Sequence, residues 1–312
     1  MIGAIGAFDG FHSGHRLLLE EAEKLACLHR KNWCVVTFSP HPDVFFGRNV
    51  KLLFSEYEKR AEAKLLKIPE VIKLPFERIY NMKAVDFLEM LIKEYSISGV
   101  VVGKDFRFGY GGSGDVVLIR DFCLDNALLC SVVETVKYSD GVEKGNKISA
   151  CVLREWFMDG KVDTLRDALK FPCPISGMVA HGKGRGTKLG FPTANILVST
   201  EKTLPAEGVY AVSVLTELGW KTGALFAGAP PMFEDVGEMR IEVHISDFSG
   251  DLYDKRLTVF LEEFMRPPMV FKDESELVHD MKLCVERAVL VFNTNHSLNG
   301  LLYQELLNAF KE

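Results

Sequence analysis

No hydrophobic run in this chain approaches the roughly 20 residues that a membrane-spanning helix needs, and no basic segment precedes an apolar stretch at the N-terminus. The expectation is a soluble, cytoplasmic protein without a membrane partner. Positive charge is also in short supply. The 37 Lys and Arg against 43 Asp and Glu leave a net charge of −6, which argues against nucleic-acid binding, because that requires a basic face. Any grip on phosphate must come from local clusters. The cysteines at 27, 34, 123, 130, 151, 173 and 284 form no Cys-x-x-Cys and no Cys/His group at zinc spacing. Odd in number and scattered through apolar segments, they read as reduced core thiols.

What the chain does have is material for two cores, with 47% hydrophobic residues in a length of 312. Its organising stretch is Gly3-Ala4-Ile5-Gly6-Ala7-Phe8-Asp9-Gly10-Phe11-His12-Ser13-Gly14-His15. An apolar strand ends in small residues, and a helix with amphipathic spacing runs from Arg16 to about Arg30. Glycines at 10 and 14 allow close backbone approach, and the N–H groups and dipole of a helix start favour an anion. If Ser13 or Gly14 opens the helix, His12 and His15 both lie over its first turn. They read either as phosphate donors or as a simple helix cap.

Beyond it, Trp33 to Phe38 reads as a buried strand stopped by Ser39-Pro40-His41-Pro42. His41 stands where open α/β sheets bind ligands, as a turn residue or a substrate contact. A helix over Ser55 to about Lys67, a strand over Val71 to Leu74, a helix over Ala84 to Tyr95 and a strand over Gly99 to Gly103 complete a doubly wound pattern. The next loop, Lys104-Asp105-Phe106-Arg107-Phe108-Gly109, mixes aromatics with charge. It suits a flat heterocycle bearing phosphate, or else is an idle surface loop. Ser149 and Arg154 then flank a helix start that reads as a second phosphate clamp.

Phe171-Pro172-Cys173-Pro174 breaks the helical pattern, and the expected division is residues 1–160, a linker 161–174 and a second domain 175–312. Strands over Ile175 to His181, Gly208 to Val214, Arg240 to Ser246 and Arg256 to Leu261 predict a small closed antiparallel barrel. Between the first strands lies Gly182-Lys183-Gly184-Arg185-Gly186, a bendable cationic loop able to hold polyphosphate or serve as a plain hairpin. Thr193 and Asn195 follow with two neutral oxygens on one side of an extended segment, suited to Mg²⁺ shared with ATP. Glu242 alternates with Ile241 and Val243, and on alternation alone reads as a solvent-facing carboxylate. A helix over Asp273 to Phe292 is followed by a second from Leu298 to Phe310, with Ser297 as its expected N-cap.

The stretch Gly6 to His15 resembles the His-x-Gly-His signature of nucleotidylyltransferases, in the form carried by bacterial bifunctional riboflavin kinase/FMN adenylyltransferases, the prokaryotic FAD synthetases. Val101-Val102-Gly103-Lys104-Asp105-Phe106-Arg107-Phe108-Gly109 is similar to that family's flavin-side loop, and Arg185 to Asn195 to its riboflavin kinase signature. The resemblance spans about residues 2 to 293. It implies a Rossmann-like nucleotidylyltransferase domain, a riboflavin kinase-like β-barrel and terminal helices, acting as a monomer or weak homo-oligomer. The implied ligands are ATP, riboflavin, FMN, FAD and Mg²⁺. For FAD formation it implies His12, His15 and Arg154 as catalytic, and Gly6, Phe8, Asp9, Gly14 and Ser149 as ATP contacts. His41, Asp105, Phe106, Arg107 and Phe108 are implied for flavin. For FMN formation it implies Glu242 as base, Lys183, Gly184, Arg185 and Gly186 for ATP, and Thr193 and Asn195 for metal. Ala7, Ala150, Cys151 and Phe226 stand where relatives usually carry polar residues, which leaves a chain with one active half, or a non-catalytic flavin or nucleotide binder, as alternatives.

Overall fold

The computed structural model describes residues 1–134, 148–182, 185–229 and 239–311. The chain forms two compact units, one from 1–51 with 66–152 and the other from 52–65 with 153–312. These differ from the expected division. Residues 161–174 are not a bare linker, because a helix fills most of them and packs on the barrel, and a segment from the first half belongs with the second unit.

The first unit begins β1 (Ile2–Ile5), α1 (Ser13–Leu28), β2 (Trp33–Ser39) and the single turn α2 (Pro42–Phe45). After α3 (Glu56–Leu65), which belongs to the other unit, come β3 (Val71–Pro75), α4 (Phe76–Ile79), α5 (Ala84–Tyr95) and β4 (Gly99–Gly103). Next are α6 (Val116–Asp125) and β5 (Leu129–Val133), which no clear periodicity announces, and α7 (Ala150–Met158) leads out of the unit. The strands form a parallel sheet ordered β3-β2-β1-β4-β5. The fully buried β1 lies at its centre, and Phe87, Leu88 and Leu91 of α5 join Val36, Leu74, Val100 and Val102 in one core cluster. Helix α1 opens at Ser13, three residues before the periodicity suggests, because His12 caps it.

The second unit contains α8 (Val162–Leu169), β6 (Pro174–Ala180), the short α9 (Arg185–Lys188), β7 (Thr193–Val198), β8 (Gly208–Thr216) and β9 (Gly219–Gly228). It ends with β10 (Arg240–Ile245), β11 (Arg256–Arg266), α10 (Glu274–Leu298) and α11 (Gly300–Phe310). The strands close a barrel in the order β10-β7-β6-β11-β8-β9, antiparallel at each junction. Gly177 of β6 lies against the Leu197 backbone so closely that a Cβ would collide with its carbonyl, which is the contact that draws β6 onto β7.

Two buried polar networks secure helices to this barrel. Glu58 on α3 and Lys202 are both fully inside. The Lys202 ammonium donates to Glu58 Oε2 at 2.7 Å and to the Leu53 carbonyl at 2.6 Å, while the Ser176 N–H donates to Glu58 Oε1 at 2.7 Å. On the other side, buried Glu262 accepts from Ser213 Oγ at 2.7 Å, Asn295 Nδ2 at 2.8 Å and Tyr303 OH at 2.7 Å. Burial pushes the Glu262 carboxyl up, and these donors pull against it. Helix α11 packs on α3, with Tyr57 OH donating to the Phe310 carbonyl at 2.5 Å. Ser297 lies within the last turn of α10 and is not the N-cap of α11. Asn299 takes that place, because no glycine or proline interrupts α10 before Gly300.

Candidate active site

The parallel sheet reverses its strand order at β1 and β4, and open sheets of this kind take ligands outside the carboxyl ends of the strands at that point. A cavity of about 300 Å³ lies there. Its lining includes Gly6, Phe8, Asp9, Gly14, His12 and His15 from the organising stretch, together with His41, Asp105, Phe106 and Ser149.

The loop after β1 is held in one shape. Gly10 takes φ +80° and Phe8 φ +46°, the latter a conformation that costs a non-glycine residue strain. Thr37 Oγ1 donates to the Ala7 carbonyl at 3.1 Å, and the Phe8 ring stacks on Phe11 with centroids 5.1 Å apart. His12 Nδ1 accepts the His15 backbone N–H at 3.2 Å, and His15 Nδ1 lies 2.7 Å from the Gly10 carbonyl. The two rings stack at 3.7 Å.

These bonds make the imidazoles unequal. A carbonyl only accepts, so His15 carries its proton on Nδ1; His12 accepts at Nδ1, so its neutral form carries a proton on Nε2. Burial lowers the His15 pKa to about 4, against the pull of the Gly10 carbonyl and the Asp9 charge. At pH 7, His12 therefore presents an N–H through Nε2, and neutral His15 presents a lone pair there. Proximity in sequence indicates two like donors, whereas the hydrogen bonds make the two Nε2 atoms unlike, one bearing a proton and one a lone pair.

His41 is both a cavity residue and a turn residue, since its Nδ1 accepts the Asp43 N–H at 3.2 Å. Ser149 Oγ lies 3.5 Å from the Val152 N–H at the start of α7. Arg154, further along α7, falls in the second compact unit and does not line this cavity.

The loop after β4 divides between two cavities. Asp105 and Phe106 face the first, while Arg107 and Phe108 line a second cavity of about 490 Å³. The Phe106 and Phe108 rings lie parallel with centroids 5.6 Å apart. Phe38, Phe46, Phe76, Tyr80 and Arg48 also line this second cavity. Their role was not read from the sequence; the available signal was the aromatic density of Phe38, Phe45-Phe46 and Phe76, whose rings meet edge to edge.

In the barrel, the register of β10 against β7 sets Glu242 opposite Asn195 and His244 opposite Thr193. Thr193 Oγ1 lies 3.5 Å from Glu242 Oε2. Both line a cavity of about 220 Å³ with Gly186, Phe191 and His244, walled by apolar side chains including Phe226, Phe271 and Met281. Glu242 is therefore not the solvent-facing residue that strand alternation alone suggests. The Asn195 amide packs over Gly182 and does not line this cavity. Lys183 and Gly184 lie outside the described residues, as does the Arg185 side chain. His244 is a lining residue that the sequence reading did not single out.

A cavity holding two histidines at the switch point of a Rossmann-like sheet, and a carboxylate and hydroxyl facing an apolar cavity in a closed barrel, are the arrangement of a two-part nucleotide-handling transferase. The FAD synthetase family profile matches residues 1–149 and the riboflavin kinase profile matches residues 169–292. Bifunctional riboflavin kinase/FMN adenylyltransferases are similar across nearly the whole length. The one from Escherichia coli K12 is 30% identical over 88% of this chain and 87% of its own, and that from Pseudomonas fluorescens is 30% identical over 86% of each. The chain belongs to the bifunctional riboflavin kinase/FMN adenylyltransferase family. A crystal structure described as a macrolide-efflux protein from Streptococcus pneumoniae shares the fold, with a TM-score of 0.78, 28% identity and coverage of 91% of this chain and 92% of that one. Among the described residues, no helix here is long and apolar enough to cross a membrane.

Proposed function

We infer that this chain phosphorylates riboflavin to FMN with ATP and then adenylylates FMN to FAD, releasing pyrophosphate. The observation that carries this is that each half has its own cavity lined by its own motif, His12 and His15 in one and Thr193 and Glu242 in the other. Adenylylation is assigned to the sheet unit, 1–51 with 66–152, and phosphorylation to the barrel unit, 52–65 with 153–312. The reading places the enzyme in the cytoplasm as a monomer or weak homo-oligomer.

In the barrel, Glu242 takes the proton of riboflavin's terminal hydroxyl as that oxygen bonds to the γ-phosphorus of ATP. The β–γ bridge breaks and ADP leaves. Thr193 offers a neutral oxygen beside the Glu242 carboxylate, a pair that fits a hard cation whose remaining ligands are water and phosphate, and Asn195 is assigned to the same ion only by its register position opposite Glu242, since its amide packs over Gly182. Mg²⁺ held there with ATP would offset phosphate charge. Lys183, Gly184, Arg185 and Gly186 hold the polyphosphate in this reading.

In the sheet unit, an FMN phosphate oxygen bonds to the α-phosphorus of a second ATP while the bond to the β-phosphate breaks. His12 donates through Nε2 to the crowded phosphate, and His15, stacked on the His12 ring and tied to the Gly10 carbonyl, keeps that donor in place as negative charge grows. Gly6, Phe8, Asp9, Gly14 and Ser149 surround the ATP phosphates in this reading. The isoalloxazine ring suits the aromatic cavity of Phe46, Phe76 and Tyr80, with Arg107 and Arg48 beside it and His41, Asp105 and Phe106 toward the phosphate.

Incubation of purified protein with riboflavin, ATP and Mg²⁺, followed by chromatographic separation of flavins, is expected to yield FMN and then FAD. Absence of both overturns the reading. The apolar Phe226 in the barrel lining favours a second reading in which the kinase half is weak; FAD from supplied FMN without FMN from riboflavin would select it.

A further inference from the structure

We propose that His244 is a positioning residue of the barrel site, clamping the turn that delivers Thr193 through a hydrogen bond from its Nδ1–H to the Pro192 carbonyl. This rests on the kinase reading above and adds a residue to it.

His244 Nδ1 lies 2.9 Å from the Pro192 oxygen. A carbonyl only accepts, so the ring must carry its proton on Nδ1 while neutral. Proline has no N–H, so the carbonyl is the one polar backbone group with which residue 192 can be held. The residue held is the one immediately before Thr193, where β7 begins. His244 is also the cross-strand partner of Thr193 in the β10–β7 register and stands two residues from Glu242, so the three side chains share one face.

The segment entering Thr193 is a compact knot. The Phe191 N–H donates to the Gly186 carbonyl at 2.8 Å, and Leu189 N–H reaches the same oxygen at 3.1 Å. A Cβ on Gly186 would collide with the Phe191 carbonyl, so the knot closes through glycine at one end. At its other end, the His244 ring meets Phe191 edge-on with centroids 5.2 Å apart. The knot is thus pinned by His244 twice, through the ring of Phe191 and through the carbonyl of Pro192. A shift of about 1 Å at a reacting group costs on the order of 100-fold in rate, so a bond that fixes the residue before Thr193 has leverage on the nucleotide that Thr193 serves.

Asparagine and glutamine separate this role from bulk packing. The Asn amide nitrogen can occupy the Nδ1 position and keep the bond, whereas the Gln amide reaches the Nε2 position and loses it. His244→Asn is expected to keep KM for ATP in FMN formation within about threefold of wild type, and His244→Gln to raise it by about tenfold with a smaller change in kcat. KM for riboflavin should move little in either. Two-bond ¹⁵N–¹H spectra of the wild-type protein provide a readout independent of turnover, and the Nδ1–H tautomer is expected for His244. The Nε2–H tautomer, or Asn and Gln variants with the same KM for ATP, whether impaired or not, would overturn the proposal. Should wild type form no FMN from riboflavin, the kinase reading falls and the clamp with it; FMN formation with indistinguishable variants removes the clamp alone.

Discussion

The two cavities are built by different means. In the sheet unit, the centre of the site is one short loop, 6–15, and each of its histidines is committed through one nitrogen to the backbone of that same loop, with His41, Asp105, Phe106 and Ser149 closing round it. In the barrel, the site is assembled from β7, β10 and α10, elements far apart in sequence, and the functional atoms are side-chain oxygens facing an apolar wall. A local backbone cradle is set as soon as its turn and helix form. A barrel site exists only once register is set, since a one-residue slip would turn Glu242 away from Thr193. The first is specified by a motif, the second by pairing.

The sharpest way to break this comparison is to disable each side separately. Replacing His12 and His15 together with alanine is expected to lower FAD formation from FMN by about 10³-fold or more while FMN formation from riboflavin persists; equal loss of both would end the division. Glu242→Gln should do the reverse, lowering FMN formation by about 10² to 10⁴-fold without affecting adenylylation of supplied FMN.

The comparison also extends to stability. Lys202→Met leaves Glu58 charged and buried, and is expected to destabilise the barrel unit by about 3–5 kcal/mol in denaturant titrations, with much of the loss recovered when Glu58→Leu is added. A loss below about 1 kcal/mol would mean that the pair is not buried as described. The smallest effect is on pH. His15 and His296 both have pKa values lowered by burial to about 4, below the ordinary 6.5. Between those values the unfolded chain binds more protons, so their contribution is complete above pH 6.5 and is lost as pH falls toward 4, by about 1–3 kcal/mol each. Equilibrium unfolding at several pH values checks the slope, and replacing His15 with asparagine should remove its share.

Legibility follows the same divide. The spans of α5 and β4 are as the periodicity gives them, and His12 and His15 meet because a strand, a turn and a helix start place them there by local rules, whereas Ser149 joins them only through the packing of the folded unit. The barrel was readable as a class from its alternating strands. Yet β9 passed unrecognised, its glycine and alanine content hiding a strand buried mainly at one end. The pairing of Glu58 with Lys202 could not be read either. Their separation of 144 residues leaves no periodic trace, and helical spacing in α3 says which face is apolar but not what covers it.

Helix α3 carries a consequence for how such a protein can be inherited. Residues 52–65 lie between two strands of the sheet in the gene and with the barrel in space. A single cut in the coding sequence therefore cannot yield two self-sufficient products, because a fragment starting at 153 would keep Lys202 and forfeit the carboxylate that neutralises it. Exchange of one half between relatives would have to carry two separate stretches of coding sequence together.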